Sequence, residues 1–264
     1  MISLDGCTKY FHRGSVNEVK ALSDVTLQIE EGDFTTVIGS NGAGKSTLLN
    51  AVAGTFALDA GTITIGRRNV TSWPEYKRAK LIARVFQDPL LGTCPSATIE
   101  QNLAIALKRG KRRGLRLGVR PEYISLFRQE LEKIGLGLEQ RLQDRAGLLS
   151  GGQRQALTML MATLVRPEVL LLDEHIAALD PKTAIQILSL TQEIISTQGL
   201  TALMITHNMK HAISLGNRLI MLHQGRVILD VKGKEKVNLT VEDLLQKFYQ
   251  AQGEELANDS MLLT

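Results

Sequence analysis

Two short stretches of this 264-residue chain have the residue types and spacing for phosphate chemistry. The first, Gly39-Ser40-Asn41-Gly42-Ala43-Gly44-Lys45-Ser46, fits G-x-x-x-x-G-K-[ST] and is the signature of a site for some nucleoside triphosphate. Its glycines let backbone N–H groups converge on β- and γ-phosphates, helped by the positive end of the helix that follows. Lys45 supplies a cation at the β/γ bridge, the Ser46 hydroxyl is placed to ligate Mg2+, and Thr47 completes the candidate nucleotide contacts. The second stretch is the apolar run Val169 to Leu172, which ends in Asp173 and Glu174. Two acids at the end of a buried strand are costly unless they serve a ligand. Asp173 would hold Mg2+ through a water, and Glu174 would polarise an attacking water as general base. Alone, the first stretch could be a glycine-rich turn and the second a solvated strand end; together, in the right structural context, they favour phosphate chemistry.

That context is a strand, a glycine loop and a helix in sequence. Phe34 to Ile38 is a buried apolar strand, and a helix runs from near Lys45 through Leu48, Leu49, Val52 and Ala53. Between the two phosphate stretches lies Leu149-Ser150-Gly151-Gly152-Gln153. With this pentapeptide, the chain resembles the ATP-binding subunits of ABC transporters over about residues 2 to 230. The resemblance implies ATP and Mg2+ as cofactors and a catalytic site completed by a second copy of the chain. Ser150, the backbone of Gly151 and Gly152, and Gln153 would meet the γ-phosphate held by that copy, using the anion chemistry of a helix start in trans. Gln87, before Asp88-Pro89, would contact Mg2+ and the lytic water. His207 would hydrogen-bond the γ-phosphate and orient Glu174, and Asp180 would cross the dimer interface. An aromatic should stack on adenine; the pattern favours Phe11, with Tyr10 the alternative.

One departure touches the site. The family commonly has Pro and then Thr or Ser after the catalytic Glu, where this chain has His175 and Ile176. The imidazole either tunes the basicity of Glu174 or packs against a neighbouring loop.

Strands and helices alternate along the rest of the chain, with strands at Val25–Ile29, Gly61–Gly66, Leu81–Phe86 and Thr201–Ile205, and a hairpin at Arg218–Leu222 and Arg226–Asp230. This alternation argues a parallel α/β core with an inserted helical subdomain. The resemblance implies a P-loop NTPase of the ABC type with a mixed/parallel sheet core and an N-terminal antiparallel β region. Residues 1–264 form one such domain, with 1–89 and 149–240 the catalytic core, 90–148 the helical subdomain, and 241–264 a C-terminal helix and tail. Residues 1–15 suit an edge strand better than a secretion signal. Thr240 and Asp243 form a capping box for the last helix, which should fray after Gly253.

Composition narrows the partners. With 44% hydrophobic and 22% charged residues and a net charge of +4, the chain reads as a soluble globular protein with no argument for nucleic acid. Cys7 and Cys94 lack metal-ligand spacing and read as reduced thiols. No apolar run reaches transmembrane length, so the chain should stay in the cytosol unless an integral partner holds it at a membrane. The resemblance implies the cytoplasmic face of the cell membrane, with an integral permease as that partner. A substrate-binding protein and import of a small solute such as an amino acid fit the resemblance. The alternatives are export, lipoprotein release or a non-transport ABC ATPase. The basic run Lys108 to Arg116 either faces anionic headgroups or is a solvated loop.

Overall fold

Apolar and polar residues alternate along the first strand, β1 (Ile2–Phe11), which is followed by β2 (Val19–Ile29), β3 (Phe34–Gly39), α1 (Lys45–Ala53), β4 (Ala60–Ile65) and β5 (Arg68–Asn69). The computed structural model describes residues 1–111 and 118–262, with side chains up to Gly253. Next come α2 (Glu75–Arg78), β6 (Ile82–Val85), α3 (Ile99–Leu107), α4 (Pro121–Ile134), α5 (Gly151–Thr163), β7 (Val169–Asp173) and α6 (Pro181–Gln198). The chain closes with β8 (Thr201–Ile205), α7 (Met209–Ser214), β9 (Arg218–His223), β10 (Arg226–Lys232), α8 (Lys234–Val237) and α9 (Val241–Leu262).

These elements fall into two compact units, one of residues 1–73 with 203–264 and the other of residues 74–202. The first unit holds an antiparallel sheet in the order β2-β1-β4-β5. β1 therefore pairs on both sides, with β2 through Ile2↔Ile29 and with β4 through Ile2↔Ile65, and is not the edge strand its alternation suggested. Alternation reports which face of a strand is buried and is silent on how many neighbours it has. The unit's other strands run β10-β9-β3-β8, with β3 parallel to β9 and the hairpin β9–β10 antiparallel. All of β8 and most of β3 are buried, as strands covered on both faces require.

In the second unit β6 and β7 are parallel, with Ile82 opposite Val169 and Val85 opposite Leu172. Helices α3, α4 and α5 share a core that includes Leu103, Phe127, Leu131 and Leu157. Thr98 caps α3 by accepting from the backbone of Gln101, whose side chain returns the bond. Of the basic run, residues 112–116 lie outside the described residues. Lys108 and Arg109 are structural: Lys108 Nζ lies 3.3 Å from the Tyr123 hydroxyl, and the Arg109 guanidinium donates to the carbonyls of Ala162 and Val165.

The last helix begins as its sequence suggested, with Thr240 and Asp243 exchanging backbone-to-side-chain bonds. Its helical backbone runs past Gly253 to Leu262. Both cysteines are free thiols. Among the described residues, no helix is long and apolar enough to cross a membrane.

Candidate active site

In the first unit the glycine loop joins β3 to α1, and two close backbone approaches explain its composition. A Cβ at Gly39 would lie 2.2 Å from the Leu222 carbonyl oxygen, and one at Gly44 2.4 Å from that of Ala21. Gly44 also takes a left-handed φ of 98° as it opens α1. Lys45 is buried, and its ammonium donates to the carbonyls of Gly39 and Ser40, each at 2.9 Å. The cation is thus folded back over the loop it belongs to. Asn41, Gly42 and Ser46 are exposed, and Ser40 and Thr47 are half-buried, so the loop's outer surface can meet a ligand while Ala43 anchors it from below.

His207 is exposed just beyond β8, the neighbour of β3, and the Thr206 N–H donates to the Val37 carbonyl at 3.2 Å. The glycine loop and His207 therefore share this unit. Phe11 ends β1 with its ring edge-on to Phe56 at 5.5 Å, and the Lys9 ammonium is 5.7 Å from its centroid. The Tyr10 ring carries the Arg13 guanidinium at 4.9 Å and the Lys20 ammonium at 5.6 Å.

The second unit gathers the acids. Because β6 and β7 are parallel, Gln87 after one and Asp173–Glu174 at the end of the other emerge on the same side of the pair. Gln87 is exposed. Glu174 has φ 46°, a left-handed conformation that costs a non-glycine residue about 1–3 kcal/mol. The Ala177 N–H closes a turn back to the Glu174 carbonyl at 2.9 Å, which holds that conformation. His175 is fully buried and bonds Thr191 on α6 at 3.1 Å; burial pushes its pKa down to about 4. Of the two readings of His175, packing is the one realised, with the neighbour a helix and not a loop.

The pentapeptide sits at the start of α5. Ser150 is its N-cap, accepting from Gln153 N–H at 3.2 Å while Gln153 Oε1 accepts from Ser150 N–H at 3.2 Å. Gly152 lies where α5 meets α6: a Cβ there would be 2.2 Å from Thr183 Cγ2. Asp180 caps α6 by accepting from Thr183 N–H at 3.1 Å, and this hydrogen bonding to Thr183 lowers its carboxyl pKa. Two arginines that carry no motif support these parts. Arg154 grips the turn before Ser150 through the carbonyls of Ala146, Gly147 and Leu149 at 3.1, 3.0 and 2.9 Å. Arg84 on β6 pairs with Asp173 at 2.6 Å.

The family model described as ABC transporter matches residues 22–177, which is more than half of the chain and spans the glycine loop, the pentapeptide and the acidic pair. The chain belongs to the ABC transporter ATP-binding family. It is an ATPase subunit of a transport system, and this ABC subunit has the ABC cassette fold. A tyrosine transport ATP-binding protein of Clostridioides difficile is 47% identical over 248 residues, covering 94% of this chain and 98% of that one. A methionine import ATP-binding protein of Streptococcus agalactiae is 33% identical over 252 residues, covering 91% and 68%. Among solved structures, a dimeric ATP-binding cassette in a post-hydrolysis state bound to ADP and Pi is 29% identical. It has a TM-score of 0.74 and covers 88% of this chain and 98% of that one. Another ABC cassette, in its ADP conformation, is 25% identical with a TM-score of 0.77, covering 94% and 98%.

Proposed function

We propose that this ATPase powers import of an amino acid, tyrosine or a close relative, through a separate membrane permease. The observation that carries the cargo is the 47% identity, over nearly the full length of both chains, to a tyrosine transport subunit. Methionine import by a second relative supports the amino-acid class. The subunit would lie at the cytoplasmic face of the membrane, bound to its permease, with a substrate-binding protein delivering the solute outside.

For the chemistry, the loop Gly39 to Thr47 would cradle the phosphates, with the Lys45 ammonium exchanging its loop carbonyls for phosphate oxygens. Phe11, or in its place Tyr10, would stack on adenine. The donors for Mg2+ fit a hard cation: the exposed Ser46 hydroxyl, the Gln87 amide and the Asp173 carboxylate all offer oxygen. When bound there, Mg2+ would supply positive charge to offset the negative charge that develops on the phosphates. Glu174 would take the proton of the attacking water, and His207 would bond the γ-phosphate and orient Glu174.

Ser150 to Gln153 and Asp180 would act on the nucleotide of a second copy. The exposed, capped start of α5 supports this, since its N-terminal dipole suits an anion. Replacing Glu174 by Gln should cut hydrolysis by about 10²–10⁴-fold with ATP binding retained. The same variant should sediment as a monomer without nucleotide and a dimer with ATP. Unchanged hydrolysis would contradict the base, and absence of the dimer would contradict the shared site. For the cargo, cells lacking the chain should lose tyrosine uptake, restored by wild type and not by Glu174→Gln.

A further inference from the structure

Arg84 carries no motif and no role so far, yet it touches the acid assigned to the metal. Its position on β6 is set by the parallel register, which puts it beside Leu171, two residues before Asp173. From there Nη2 reaches Asp173 Oδ2 at 2.6 Å, and both side chains are largely withdrawn from water, at 15% and 17% exposure. The guanidinium is fixed from a second side, its central carbon 4.7 Å from the centroid of the Phe86 ring. Phe86 is held in turn, because its carbonyl accepts from Nε2 of the fully buried Gln155 at 3.4 Å. Among the described residues, Asp173 Oδ1 makes no hydrogen bond.

The terminal torsion of a free aspartate is broad, so an unrestrained carboxylate presents its oxygens in many directions. A carboxylate clamped by one oxygen presents the other in one. We propose that Arg84 is a positioning residue for the Mg2+ site: it holds Asp173 by Oδ2 and leaves Oδ1 to accept from a metal-bound water. The proposal rests on the reading of Asp173 as an outer ligand of Mg2+. Partners of this kind typically contribute 10–100-fold to metal affinity. A competing role has the opposite sign, since a guanidinium that merely sat beside the ligand would repel the dication.

The test uses the purified full chain and ADP, which binds without turnover, titrated by calorimetry in excess Mg2+ and again in EDTA. The ratio of the two affinities is the factor by which Mg2+ tightens the nucleotide. Arg84→Met should lower that ratio about tenfold with the EDTA affinity unchanged, and Asp173→Asn should lower it at least as far. If Asp173→Asn lowers the ratio and Arg84→Met leaves it unchanged or raises it, the role of Arg84 is overturned while the metal assignment stands. If Asp173→Asn leaves the ratio unchanged, the metal assignment fails and the proposal falls with it. A loss of EDTA affinity in Arg84→Met would also overturn it, because the arginine would then support the whole nucleotide site.

Discussion

Nε2 of His175, the residue directly after Glu174, lies 3.1 Å from the hydroxyl of Thr191, one helix away. That hydroxyl has a single proton and donates it to the Ile187 carbonyl at 2.7 Å, so it must accept from Nε2–H. The bond selects one tautomer of a neutral ring and pins the residue after the proposed base to α6.

Burial holds the His175 pKa at about 4, against an ordinary 6.5. The folded state therefore binds fewer protons than the unfolded one between these values, and stability is lost as pH falls from 6.5 towards 4. Urea unfolding should show a loss of about 2 kcal/mol from this residue between pH 7.5 and pH 5. His175→Gln should flatten that dependence. Since the ring stays neutral near neutral pH, His175→Pro should leave the pH profile of ATP hydrolysis unchanged; a moved profile would revive tuning of Glu174.

At the junction of α5 and α6, Gly152→Ala forces a methyl to within 2.2 Å of Thr183 Cγ2. The expected cost is about 1–3 kcal/mol in thermal or urea unfolding. Thr183→Ser removes that methyl, so Gly152→Ala combined with Thr183→Ser should recover most of the loss. Failure of the rescue would mean that the glycine serves the backbone and not the helix contact.

The Ser150 cap makes a separable prediction. Ser150→Ala removes the acceptor for Gln153 N–H and should cost about 1 kcal/mol of stability. Ser150→Asp keeps the cap, so stability should be retained. It also places a negative charge where a partner's γ-phosphate is proposed to dock, and ATP-dependent dimerisation should then fail in sedimentation.

For adenine, Phe11→Ala should raise KM for ATP several-fold with kcat little changed, and Tyr10→Ala should do so less. The reverse order would move the stacking role to Tyr10, whose ring already carries Arg13 and Lys20.

Much of this was legible in the sequence because it is local. The glycine loop, the helix starting at Lys45, the helix start at Ser150 and the capping box at Thr240 each depend on residues within a few positions of one another. What the sequence concealed depends on pairing across distance. The two neighbours of β1 are set by β2 and β4, and Arg84 meets Asp173 across 89 positions. His175 finds Thr191 only once α6 folds back on the strand end. Arg154 was concealed for another reason: its carbonyl partners lie close in sequence, but a guanidinium binding carbonyls leaves no pattern of residue types.

The buried amide of Gln155 has a mechanical consequence. It sits two residues after Gln153 on α5 and holds the carbonyl of Phe86, the residue just before Gln87. The loop leaving β6 and the helix that starts at Ser150 are therefore joined near their roots by this hydrogen bond. A push on one that moves Phe86 tugs directly on the helix whose exposed tip is Ser150. A displacement at Gln87 would in this way be felt at the exposed start of α5, proposed above to meet a second copy, and Gln155→Leu would remove that hydrogen bond while leaving Gln87 and Ser150 chemically intact.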